Sequence, residues 1–150
     1  MLPLTIKNIP FKIGQTLTVK GVADAHSTNF EVNICPDESD VALHINPRFK
    51  RHTDVNTVVC DYLQGGQWLN RVTTEEFPFQ QGAEFTITVA FSPGEFLVTF
   101  ADATTFHYPN HLGAFKQASQ AWRLNSLYTH LCVHTAHLSF SIQLKTINAM

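Results

Sequence analysis

From Val41 to Asn46 the chain alternates apolar and polar residues, and the same phase runs on to Arg48. With a side-chain period of two, Val41, Leu43 and Ile45 point to one side of a strand, and His44, Asn46 and Arg48 point to the other. Imidazole, amide and guanidinium then form a row of hydrogen-bonding groups about 6 to 7 Å apart, twice a rise of roughly 3.3 Å per residue. Such a row suits a ring rimmed with hydroxyls. The plain alternative is a solvated strand face that binds nothing, since faces meeting water are ordinarily polar. Pro47 cannot donate to a ladder and is expected at an edge, a bulge or a strand end.

The same alternation recurs along most of the chain. Leu17 and Val19 precede Gly21; Phe30, Val32 and Ile34 precede Pro36 and Asp37; Thr57 to Tyr62 precede Gly65 and Gly66. Phe85, Ile87, Val89 and Phe91 run into Pro93 and Gly94, and Phe96, Val98 and Phe100 run into Ala101 and Asp102. Strands at roughly ten-residue spacing with turn residues between them predict an antiparallel sandwich or barrel. The 12 phenylalanines, most of them on the inward phase, supply the bulk to fill the gap of about 10 Å between two sheets. After Gly113 the pattern changes. Ala114 to Arg123 is compatible with a helix whose face carries Phe115, Ala118, Ala121 and Trp122, and alternation returns from Leu138 to Leu144. That last stretch reads either as a closing strand or as a loosely held extension.

Composition narrows the function classes. The 150 residues, 44% of them hydrophobic, suffice for one domain with a real core. The formal net charge of −2 gives no case for nucleic acid or an anionic membrane as partner, and no segment approaches a membrane span. Lys7 and Pro10 interrupt the N-terminal stretch, so no signal peptide is expected. Cys35, Cys60 and Cys132 stand singly and are odd in number, which predicts reduced thiols and synthesis in the cytosol, with any export by a non-classical route. No cysteine has an evident base partner and the carboxylates are scattered, so no catalytic machinery and no cofactor is expected. His130, Cys132, His134 and His137 have a spacing that zinc could use, although a solvent-facing cluster is the preferred reading.

Gly65, Gly66, Gln67 and Trp68 place a tryptophan directly after a turn signal. An indole face beside a polar row is a platform for the C–H face of a sugar, against the alternative that Trp68 enters the core. The segments HINPRF (44–49), DVNTVVC (54–60), GGQW (65–68), FPFQQG (77–82), FHYPNHLG (106–113) and NIPFKIGQTLTVKG (8–21) together resemble the galectins, small lectins that bind β-galactosides. The resemblance covers about residues 3 to 112. It implies an all-β jelly-roll sandwich of two antiparallel sheets, with the sugar lying on the concave sheet. It implies that His44, Asn46 and Arg48 hydrogen-bond galactose, that Trp68 stacks beneath it, and that His52 lies near the extended-glycan end of the groove. The implied partners are β-galactoside glycans on glycoproteins or glycolipids.

Three departures from the family pattern qualify this. Asp61 stands where the family has asparagine; it can still accept from a hydroxyl. Arg71 stands where the family has a glutamate that accepts from the sugar and braces the arginine equivalent to Arg48. That exchange is expected to leave Arg48 unbraced and repelled by Arg71, to be rescued by Asp61, or to turn the preference toward anionic glycans. Residues 113–150 do not show the family's usual ending, so the chain is divided into a carbohydrate-recognition domain at 1–112 and an atypical segment at 113–150 that could contribute a closing strand, and the homodimer that the resemblance implies is left in doubt by that segment. The alternative function is a structural or protein-interaction role on the same fold without useful sugar binding.

Overall fold

A computed structural model describes the backbone of residues 4–37, 39–112, 126–134 and 137–146, and the side chains of residues 13–37 and 39–112. Within these residues the alternating segments form β1 (Leu4–Lys12), β2 (Gln15–Val22), β3 (Glu31–Cys35), β4 (Val41–Arg51), β5 (Asp54–Gln64) and β6 (Gln67–Trp68). They continue as β7 (Val72–Thr74), β8 (Glu84–Phe91), β9 (Glu95–Phe100), β10 (Thr105–Pro109), β11 (Ser126–His134) and β12 (His137–Thr146). One sheet runs β1-β11-β3-β4-β5-β6, with β7 also on β5; the other runs β10-β9-β8-β2-β12. Neighbouring strands are antiparallel throughout. The fold is the jelly-roll β-sandwich expected from the period-two pattern.

The stretch Leu138 to Leu144 lies within β12 and pairs with β2, Ile142 opposite Val19. Leu4 to Ile9 lies within β1, whose neighbour is β11. The helix expected at Ala114 to Arg123 falls outside the described residues.

The apolar phases of both sheets meet in one core. Leu43 and Ile45 of β4, Val32 and Ile34 of β3, and Ile87, Val89, Phe96 and Val98 of the facing sheet are all buried. Phenylalanine rings bridge the sheets: Phe30 stacks on Phe85 at 4.4 Å and meets Phe79 edge-on at 5.4 Å, and Phe79 meets Phe100 at 5.0 Å. Offset and edge-to-face contacts of this kind add to the area that the rings bury. Pro47 lies inside β4, opposite Val58 of β5, and not at the strand's end. Its carbonyl accepts from the backbone N–H of Phe30, at 3.1 Å, on the β3 side. The missing proline N–H therefore faces the point where the β3 ladder begins, and costs β5 no hydrogen bond.

Because Phe30 touches three other rings from a fully buried position, Phe30→Ala is expected to cost about 3 to 5 kcal/mol of folding stability. Urea denaturation measures this; a loss below about 1 kcal/mol would mean that the ring cluster does not hold the sheets together.

Candidate functional site

The polar phase of β4 is held against its neighbours before any ligand is considered. His44 lies opposite Asn33 of β3 and Asp61 of β5. Its Nδ1 is 2.6 Å from Asn33 Oδ1, and the Asn33 amide is oriented by donating from Nδ2 to Glu31 Oε1 at 3.2 Å. A carbonyl-type oxygen only accepts, so this pair assigns the proton to Nδ1 and leaves the Nε2 lone pair to accept from a ligand. Burial pushes the His44 pKa down to about 4; Arg48 and Arg51 push the same way, and Glu31 and Asp61 pull against them. The ring is therefore neutral at physiological pH.

Asn46 is 0% exposed. Its Nδ2 donates to Phe30 O at 2.6 Å and to Asn29 Oδ1 at 3.1 Å, while its Oδ1 accepts from Arg48 Nε at 2.8 Å. Its amide is thus committed internally, and it reaches the groove through Arg48. The Arg48 side chain is 15% exposed and donates from Nη1 to Asp54 Oδ2 at 2.7 Å. Arg71 Nη2 donates to the same oxygen at 2.6 Å. The arginine substitution therefore leaves Arg48 neither unbraced nor simply repelled, and the carboxylate between the two guanidinium groups is Asp54, not Asp61. Desolvation pushes the Asp54 carboxyl up, but the hydrogen bonds from Arg71 and Arg48 outweigh it and hold the pKa below the ordinary value.

Asp61 has a different task. Its Oδ1 accepts from the backbone N–H of Tyr62 at 2.8 Å and of Asn70 at 2.9 Å. This ties down the loop 69–71, which carries Arg71. Tyr108 donates to Asn70 O at 2.8 Å, Asn70 Nδ2 lies 2.9 Å from His111 Nε2, and His111 stacks on Tyr62 at 4.4 Å. Burial pushes the His111 pKa down against the pull of Asp61, which suits the neutral ring that Asn70 Nδ2 needs as acceptor. Trp68 arrives through the two-residue turn Gly65–Gly66, both at positive φ (60° and 80°), where glycine alone is unstrained. Its indole is half exposed and its ring centroid lies 4.6 Å from that of His44.

These groups line an open groove of about 230 Å³ formed by Glu31, His44, Arg48, Arg51, Val59, Asp61, Trp68 and Arg71. Asn46 is not on its surface. His52 sits exposed at the turn between β4 and β5, at φ 56°, and is not among the lining residues. Glu31, Asn33, Arg51 and Asp54 belong to the site and were not singled out from the sequence. Glu31 and Asn33 had a signal, the outward phase between the apolar Phe30, Val32 and Ile34. Cys60 is buried; desolvation, and secondarily Asp61, push its thiol up, away from the reactive thiolate. His130, Cys132 and His134 lie on β11 and His137 on β12, in different sheets; their side chains are outside the described residues.

The galactoside-binding lectin family model matches residues 3–126. A beta-galactoside-binding lectin from Electrophorus electricus is 44% identical over 105 residues, covering 70% of this chain and 81% of the relative. Galectin-1 from Ovis aries is 34% identical over 109 residues, covering 73% and 81%. Among solved structures, galectin-1-L2 from Dario rerio superposes with a TM-score of 0.78 at 36% identity, covering 96% of this chain and 97% of that one. Lactose- and MES-liganded congerin II superposes at 0.82 and 26% identity, covering 95% and 99%.

Two outcomes follow from the site's electrostatics. The His44 pKa lies below its unfolded value of about 6.5, so between about 6.5 and 4 the unfolded chain binds a proton that the folded chain refuses. The His44 contribution is complete above pH 6.5 and is lost as pH falls toward 4. Imidazole NMR should show a neutral Nδ1–H ring at pH 5.5, whereas a ring that is half protonated near pH 6.5 would contradict the burial argument. Asp54→Asn removes a charged acceptor shared by two arginines and is expected to cost about 2 kcal/mol. Denaturation of the variant with an unchanged midpoint would show that Asp54 is not the brace.

Proposed function

The chain belongs to the galactoside-binding lectin family, and from that premise we propose that its groove binds β-galactoside-containing glycoconjugates. The observation that carries this reading is the pairing of a neutral, oriented His44 with the half-exposed indole of Trp68 on one open groove. His44 Nε2 accepts from a ring hydroxyl. Arg48, whose Nε and Nη1 are committed to Asn46 and Asp54, presents its remaining donors to the sugar. Trp68 receives the apolar C–H face, burying area without ordering a flexible side chain. Asp61 lines the groove as a hydroxyl acceptor, and Asn46 positions Arg48. His52 stands apart from these groups and is reached only by a glycan extending past the hairpin.

The reading is one of binding without chemistry. Cys60 is buried and held in the thiol form, and Asp54 is held ionised between two arginines, which unsuits it as a proton donor. The buried free thiol at Cys60 also supports synthesis in a reducing compartment, with export, where it occurs, by a non-classical route.

Isothermal titration with lactose tests the proposal. The wild-type protein is expected to bind, and His44→Ala and Trp68→Ala are each expected to weaken binding at least about tenfold, which is 1.4 kcal/mol. A folded, monodisperse wild-type sample that binds no galactoside, neutral or charged, would refute the lectin reading.

A further inference from the structure

The charges of the groove are segregated. Glu31 and Asp61 flank His44, and both are engaged: Glu31 Oε1 accepts from Asn33 and Asp61 Oδ1 from two backbone N–H groups. At the end toward the β4–β5 turn the heads of three arginines gather. Arg48 and Arg71 share a single carboxylate oxygen, Asp54 Oδ2, at 2.7 and 2.6 Å. Arg51 donates from Nη1 to Asn29 Oδ1 at 3.2 Å, a neutral acceptor. Among the described residues Asp54 is the carboxylate that Arg48 and Arg71 bond, one negative charge set against three positive ones.

Arg71 is the accessible member of the set. Its side chain is 50% exposed, against 15% for Arg48, and among the described residues its partner is Asp54, through Nη2. A guanidinium has five N–H donors in a planar fork that fits sulfate and carboxylate oxygens. The clamp on the loop 69–71, through Asp61, Tyr108 and His111, fixes the backbone from which this fork projects. Binding an anion there costs less ordering than it would on a free loop.

We propose that this groove selects galactosides carrying an anionic substituent, a sulfate or a sialic carboxylate, received by Arg71 with Arg48 and Arg51 behind it. The inference rests on the lectin reading above and adds the substrate class. A neutral galactoside uses His44, Trp68, Asp61 and the spare donors of Arg48, whereas an anionic one also makes charge-assisted hydrogen bonds to Arg71 at the turn end of the groove. Selectivity of this origin weakens with added salt, because the Arg71 end is open to solvent.

The test is calorimetric titration of wild-type protein and Arg71→Gln with three sugars: lactose, lactose sulfated at O3 of galactose, and lactose sialylated at that same oxygen. The ratio of anionic to neutral affinity is read within each protein, so a change in neutral-sugar affinity cancels. The wild type is expected to bind at least one anionic sugar about tenfold or more tighter than lactose at low ionic strength. That ratio should fall close to one in Arg71→Gln and shrink at high salt. Whichever anionic sugar shows the gain identifies the source of the charge. Equal affinities in the wild type, or a ratio that survives Arg71→Gln, would overturn the inference while leaving the lectin reading intact. Failure to bind any of the three would overturn both.

Discussion

The structure turns on two polar side chains of β4 being almost as inaccessible as its apolar ones. Leu43 and Ile45 are sealed in the sandwich, and the polar side chains between them, His44 and Asn46, are nearly as inaccessible because β3 and β5 crowd them from either side. Polar groups in such a place must be hydrogen-bonded, since an unsatisfied one costs roughly 1 to 3 kcal/mol. The consequences follow residue by residue. Asn33 Oδ1 accepts from His44 Nδ1–H and so sets the tautomer; Phe30 O and Asn29 Oδ1 accept from the Asn46 amide; the Asn46 oxygen then accepts from Arg48 Nε. What faces the groove is the remainder of each group's hydrogen-bonding capacity, already oriented.

The arginine at 71 shows how such a network absorbs a change of sign. A guanidinium beside Arg48 would be repulsive in isolation, but a carboxylate at the start of β5 lies within reach of both. Arg48, Asp54 and Arg71 form a chain of charges in which the anion sits in the middle. This keeps Arg48 in place and leaves the more exposed Arg71 with donors to spare. The electrostatics of the groove therefore depend on a residue that does not line it.

The two sheets are also linked through the site. Tyr108 of β10, on the sheet away from the groove, donates to the Asn70 carbonyl, and His111 just beyond it meets Asn70 and stacks on Tyr62. The loop bearing Arg71 is thus held from the opposite sheet as well as from Asp61. A buried tyrosine hydroxyl needs an acceptor, and here that need fixes the geometry of a groove residue.

Much of this was legible in the chain itself. Alternation with period two set the strands, their inward faces and the sandwich, because a one-residue slip would turn every apolar side chain outward. The same alternation placed His44, Asn46 and Arg48 together, and the Gly65–Gly66 turn brought Trp68 up beside them. Local pattern cannot say which polar groups satisfy one another across strands. The burial of Asn46, the place of Pro47 inside β4 with its missing donor turned from β5, and the meeting of residues 48, 54 and 71 on one oxygen depend on strand register and loop path. So does the threading of β11 between β1 and β3. Those are long-range pairings, and only the folded sheet decides them, since hydrogen bonding between strands is set by which backbones lie side by side and not by the order of residues along any one of them.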